Sequence, residues 1–258
     1  MKITFDSNVW QIVVNPENYL GEPSIEKFRL LNEAINSGKI EAFLSATIFT
    51  IEAIKRLDRK DFFSSRKPKT TTEIDVDNNM VGLGFTIGPG DQDSINFDDT
   101  PILKKYFNEA LQQGFKIVDS PRIGIFKNLE VEKELSKQDS FFYDRQAEVG
   151  DKIEASGAGI SQIKEIGNAH SNRSWMRGLK KALDSDKKKI AKAAAEWADG
   201  DSVATSIALG CDFFCTRDNA NGAGSKSVLS TNNKEMLNAE YGFKAITPEK
   251  LAEIIKSL

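Results

Sequence analysis

The sequence predicts an α/β fold in three layers, α/β/α, around a central, mostly parallel sheet. Three observations lead there. Short apolar strands alternate with segments of helical period towards both ends of the chain. Those strands read as compact apolar runs, the pattern of a sheet covered on both faces. The length of 258 residues suits one large domain with elaborations.

The elements follow in order. KITF (2–5) is a β-prone run that stops at Asp6. SIEKFRLLNEAINSG puts Ile25, Phe28, Leu31 and Ile35 on one helical face and stops at Gly38. IEAFLS (40–45) is a strand, and ATIFTIEAIKRL a helix with Ile48, Ile51, Ile54 and Leu57 on one side. Residues 59–100 read as an insertion, with a hairpin expected over 71–88 around a DNN turn and a polar loop, DQDSINFDDTP, after it. PILKKYFNEALQQG is a helix and FKIVDS (115–120) a strand. Residues 128–195 are helical in composition and too long for one βα connection, so they predict a helical lobe within the single domain 1–258. DSVATSIALG is a helix opened by Asp201 and stopped by Gly210, and DFFCTRD is the strand after it. NNKEMLNAEYG (helix), FKAIT (strand) and PEKLAEIIKSL (helix, with Pro248 in its first turn) close the chain.

Composition narrows the chemistry. No apolar run approaches the roughly 20 residues that span a bilayer, and the N-terminus turns polar too early for a signal-peptide core; a cytoplasmic protein with no membrane partner is expected. Cys211 and Cys215 flank one strand, too far apart for a relaxed disulfide, and read as reduced packing residues. The single histidine, His170, excludes a histidine-rich zinc site and reads as a surface-loop residue. A net charge of −3 neither demands nor excludes a nucleic-acid partner.

Carboxylates stand out at one edge of the sheet. Asp6 and Asp218 each follow a strand, and ligands of parallel sheets gather at the strands' carboxyl ends. Asp201, as the opening residue of a helix packed antiparallel to the strands, belongs to the same edge, with Asp199 close by. Glu52 lies in the early turns of the helix after the second strand and reaches that rim if its helix leans over it. Each has an ordinary alternative as a cap, a turn residue or a solvated glutamate. Together they would repel unless a cation sat among them, and oxygen-only ligands suit Mg²⁺ or Mn²⁺. Such a centre activates water for attack on phosphorus without histidine.

The segments FDSNVW (5–10), TIFTIEAIKR and GDSVATSIALGCDFFCTRDN resemble the PIN-domain family of metal-dependent nucleases. The resemblance covers about residues 1–58, 101–125 and 195–258. It implies a PIN-like fold and Mg²⁺- or Mn²⁺-dependent hydrolysis of RNA, commonly as a single-strand endoribonuclease. It also implies that Asp6, Glu52, Asp201 and Asp218 are the catalytic, metal-holding quartet, and that Asn8 and Thr216 orient them, with Asp199 and Asn219 in support. Many members are toxins of toxin–antitoxin pairs, which adds an antitoxin or regulatory protein to the expected partners; a homo-oligomer is left open.

Two basic stretches adjoin these acids. KRLDRKDFFSSRKPK holds Lys55, Arg56, Arg59 and Lys60, and RSWMRGLKKALDSDKKKIAK holds Arg173, Arg177, Lys180 and Lys181. A phosphate backbone near an acidic centre needs such residues, and Trp175, Phe62 and Phe63 could stack on bases; solvated helix faces and core packing are the ordinary alternatives. Residues 71–100 are acidic and would repel RNA. Two other functions fit the same residues: a PIN-like module that binds RNA or protein without cleaving, and a different doubly wound phosphohydrolase with an aspartyl nucleophile.

Overall fold

The computed structural model describes residues 1–64, 68–77, 80–89, 101–120, 140–218, 224 and 226–257. Its centre is a five-stranded, all-parallel sheet in the order β5-β2-β1-β6-β7, formed by β1 (Lys2–Phe5), β2 (Glu41–Ser45), β5 (Lys116–Val118), β6 (Phe213–Cys215) and β7 (Ala245–Ile246). β1 sits in the middle, with Thr4 opposite Phe43 on one side and Phe214 on the other. The pleat then separates two cores. Ile3, Phe5, Ala42, Leu44, Ile117 and Cys215 face one layer. It contains α1 (Trp10–Val14), α2 (Ile25–Asn36), α5 (Pro101–Gln112) and α11 (Pro248–Lys256). Phe214 faces the opposite layer of α6 (Ser140–Ala155), α9 (Lys187–Ala208) and α10 (Thr231–Tyr241). Phe43 and Val118 also turn that way, against Phe142 of α6. An α/β sheet covered on both faces is therefore observed, compatible with three layers.

A third cluster builds the helical lobe. α3 (Ala46–Ala53), α4 (Arg59–Ser64), α7 (Ile160–His170), α8 (Trp175–Lys181) and the first half of α9 meet around Phe63, Leu179 and Trp197. The hairpin expected over 71–88 is present and longer: β3 (Pro68–Asp77) pairs antiparallel with β4 (Met80–Pro89). The acidic side chains of 71–100, the loop after the hairpin and the start of the lobe at 128–139 lie outside the described residues.

Several boundaries differ from expectation. The helix carrying Glu52 ends at Ala53, where Ile54 turns extended (φ −87°, ψ 117°), so Leu57 leaves the apolar face and is exposed. The helix expected to open at Asp201 begins at Lys187 and runs 22 residues. It is continuous from the lobe into the layer, so the lobe does not end at 195. Lys187–Lys189 supply its first turn, and Ala191 to Ala195, interrupted only by Lys192, carry no signal to stop. Gly210, at φ 63°, ends it as expected. His170 closes α7 instead of lying in a loop, and its Nε2 is 3.3 Å from the Asp186 carboxylate.

Candidate active site at the carboxyl edge of the sheet

Asp6 is held from several sides. Its amide donates to the Cys215 carbonyl (3.0 Å), and its own carbonyl accepts from the Val9 and Trp10 amides, which turns the chain from β1 into α1. Oδ1 accepts from the Ser7 amide (2.6 Å), and Oδ2 from the Thr216 hydroxyl (2.5 Å) and the Asn8 side chain (3.0 Å). Thr216 Oγ1 accepts in turn from the Asp218 amide (2.9 Å). One hydroxyl thus links the two strand-end aspartates. Asn8 Oδ1 accepts from the Arg217 amide (3.1 Å), while the Arg217 guanidinium makes two bonds to Glu22 (2.9 and 2.6 Å) over the Phe28 ring. These contacts fix the chain that leads to Asp218, which is itself exposed on the rim. Asn219 lies outside the described residues.

Glu52 leans over the rim from α3. Its Oε1 accepts from Trp10 Nε1 (3.4 Å) and its Oε2 from Gln11 (3.1 Å). Trp10 is fully buried, edge-on to Phe49 at 5.1 Å, so the indole that meets Glu52 is fixed by the core.

The charges act on one another. Burial raises the Asp6 carboxyl above its ordinary value, Thr216 and Ser7 oppose the rise, and the charge of Asp218 adds to it. Burial pushes Glu52 up to about 7, with Trp10 and Gln11 opposing, Asp6 adding and Arg59 subtracting. Asp199 is raised most clearly. It keeps some exposure, but its surroundings desolvate it, and Asp6, Glu196 and Asp218 all add to the rise while Arg59 opposes it. Glu196 is raised by burial too, and its carboxylate is occupied by the Val228 amide (2.6 Å).

Asp199 therefore stands where Asp201 was expected. Because the helix starts at Lys187, Asp201 is a buried mid-helix residue and opens nothing. It is about 200° around the helix from Asp199. A cleft of about 200 Å³ lies between the β1–α1 turn, α3, α4 and α9, and its polar wall is Ser7, Asn8, Glu52, Arg59 and Asp199. The structure thus gathers Asp6, Asn8, Glu52, Thr216, Asp218 and Asp199. It adds Glu196 and Arg59. Glu196 could have been found from its i, i+3 spacing to Asp199, once the helix was known to be continuous.

The donor set is oxygen-only, and its members raise one another's pKa, which is the chemistry a hard divalent cation relieves. Among the described residues no group of three or more His, Cys, Asp or Glu side chains stands close enough to hold a metal ion. The carboxylates feel one another's charge without closing into a metal-holding group.

Lys55, Arg56, Arg173, Arg177, Lys180 and Lys181 are exposed, and α4 packs against α8, which brings the two basic stretches onto one lobe. Lys60 is different. It is buried, and its ammonium donates to the Ala182 carbonyl, so it is unavailable to RNA. Phe63 is core, tilted on Trp197 at 5.3 Å, and Trp175 lies edge-on to Trp197 at 6.1 Å; neither is a free stacking platform. Cys215 is buried, Cys211 partly so, and both are free thiols. Among the described residues no helix is long and apolar enough to cross a membrane. No family model, curated protein or solved structure matches this chain.

Proposed function

We propose that the chain is a PIN-like nuclease that hydrolyses RNA phosphodiester bonds as an endoribonuclease with Mg²⁺ or Mn²⁺. One observation carries the reading: Asp6, Glu52, Asp199 and Asp218 come from four separate elements and are electrically coupled through Asp6 and Asp199 at the carboxyl edge of a parallel sheet. Asp199 takes the place first given to Asp201.

These four residues would hold the cation on drawing closer together than they stand here; bound there, it would activate water and stabilise the departing oxygen. The chain's own contribution is orientation and proton handling. Thr216 and Asn8 set the plane of the Asp6 carboxylate. Glu52, at about 7, can take up or release a proton at its carboxylate near neutral pH. Lys55, Arg56, Arg173, Arg177, Lys180 and Lys181 would follow the phosphate backbone outside the cleft.

The test is cleavage of an end-labelled single-stranded RNA with Mn²⁺. The wild type cuts, and Asp6→Asn and Asp218→Asn lose about a hundredfold or more with circular dichroism unchanged. Full activity in either variant contradicts the reading. The open spacing of the carboxylates favours one second reading, a non-catalytic RNA-binding module; RNA binding in Mn²⁺ with no cleavage would select it.

A further inference from the structure

Among the described residues Arg59 is the one cation in the wall of the acidic cleft. It opens α4, and its guanidinium is held by two neighbouring helices. Nη1 donates to the Ala191 carbonyl of α9 at 3.0 Å, and Nη2 to the Ile51 carbonyl at 3.1 Å. Ile51 lies in the last turn of α3, where carbonyls lack helical partners and carry the negative end of the helix dipole. The hydrogen bonds go to backbone oxygens and not to Glu52 or Asp199, although both carboxylates feel the Arg59 charge. Nε is buried and makes no hydrogen bond, but each terminal nitrogen carries a second N–H beyond its bond to a carbonyl.

A polyanion meets a difficulty here. The cleft is lined by carboxylates, and the exposed lysines and arginines of the lobe sit outside it. A cation held by the acids neutralises them but leaves the phosphate with no fixed partner of its own. Arg59 has the properties such a partner needs. It is always charged and planar, and its two carbonyl anchors set its orientation before any ligand arrives, which lowers the ordering cost of binding.

We propose that Arg59 is a substrate-binding residue that donates to a non-bridging phosphate oxygen of a single RNA strand lying in the cleft between α3, α4 and α9. The proposal rests on the nuclease reading above for the identity of the strand. It separates Arg59 from its basic neighbours: Lys55 and Arg56 contact the backbone loosely from outside, Lys60 is structural, and Arg59 holds the phosphate next to the acids.

The experiment uses the full chain and the variants Arg59→Gln and Arg59→Lys. Affinity for a short fluorescein-labelled single-stranded RNA is read by anisotropy in Ca²⁺, affinity for Mn²⁺ by calorimetry without RNA, and cleavage in Mn²⁺ separately. Arg59→Gln should weaken RNA binding about tenfold or more, Arg59→Lys less. Mn²⁺ affinity should hold or tighten, because a positive charge beside the carboxylates is gone. A merely structural role would weaken both, and that result overturns the proposal. So does unchanged RNA affinity in Arg59→Gln, or a wild type that binds no RNA. If the wild type binds RNA, Arg59→Gln weakens it and no cleavage occurs in Mn²⁺, the hydrolytic reading fails while the Arg59 contact stands.

Discussion

Asp199 and Asp201 are two positions apart on one helix, and the difference between them is a matter of direction. Asp199 faces the cleft and carries the electrostatic load of Asp6, Glu196 and Asp218, whereas Asp201 is buried on another side of the helix. Asp199→Asn should abolish Mn²⁺-dependent cleavage, by about a hundredfold or more, while Asp201→Asn keeps cleavage within about threefold; steady-state rates on one RNA substrate check both. The strand-end carboxylates were legible in the sequence. Asp6 and Asp218 close apolar runs, and a strand end fixes which residue meets the rim; Asn8 and Thr216 were named only through the family resemblance. The helix-borne residue was not legible, because a shift in the assumed helix start changes which of two nearby aspartates faces inward. Arg59 was visible as one charge in a basic stretch. Its selection from that stretch depends on carbonyls of Ile51 and Ala191, which lie far apart in sequence.

At the scale of elements, glycines decide how tightly the lobe packs. A Cβ on Gly178 of α8 would fall on the backbone carbonyl of Gly167 in α7, and one on Gly167 would fall on the Trp175 carbonyl. Gly200 of α9 approaches Gly159, whose φ is +57°, closely enough that an added Cβ would lie 3.2 Å from its Cα. That contact seats the 157–159 turn beside Glu196, to which the Gly159 backbone hydrogen-bonds. Gly178→Ala should therefore force α7 and α8 apart and cost about 2 kcal/mol or more, a fall in Tm of about 4 °C or more by calorimetry. An unchanged Tm would mean that the two helices can separate freely. Helical content was readable from composition here, and the hairpin from the β-branched alternation around the DNN sequence. The end of α3 at Ala53 was not, because Ile54 and Leu57 continue its apolar period while the chain turns away.

At the scale of the whole molecule, the site stores unfavourable charge. Asp6, Glu52, Glu196 and Asp199 all titrate above their ordinary values, so the fold favours their protonated forms. For Glu52 that contribution is complete below 4.5 and is lost as pH rises through about 7. Metal-free protein should therefore lose several degrees of Tm between pH 5 and pH 8 in EDTA. Mn²⁺ should restore the Tm at pH 8 and change little at pH 5, since a cation replaces the protons that the carboxylates have lost. A Tm that is flat with pH and indifferent to Mn²⁺ would remove the electrostatic basis of the site. The alternation of strands and helices made the parallel sheet legible. It did not reveal that β1 lies at its centre, which is what sets Asp6 beside Thr216. The central claim is that these carboxylates share a metal centre, and the anomalous difference map of a Mn²⁺-soaked crystal tests it most directly. The account predicts a peak among Asp6, Asp199 and Asp218 with Glu52 at its edge; a peak at Asp201 without Asp199, or none at saturating Mn²⁺, would contradict it.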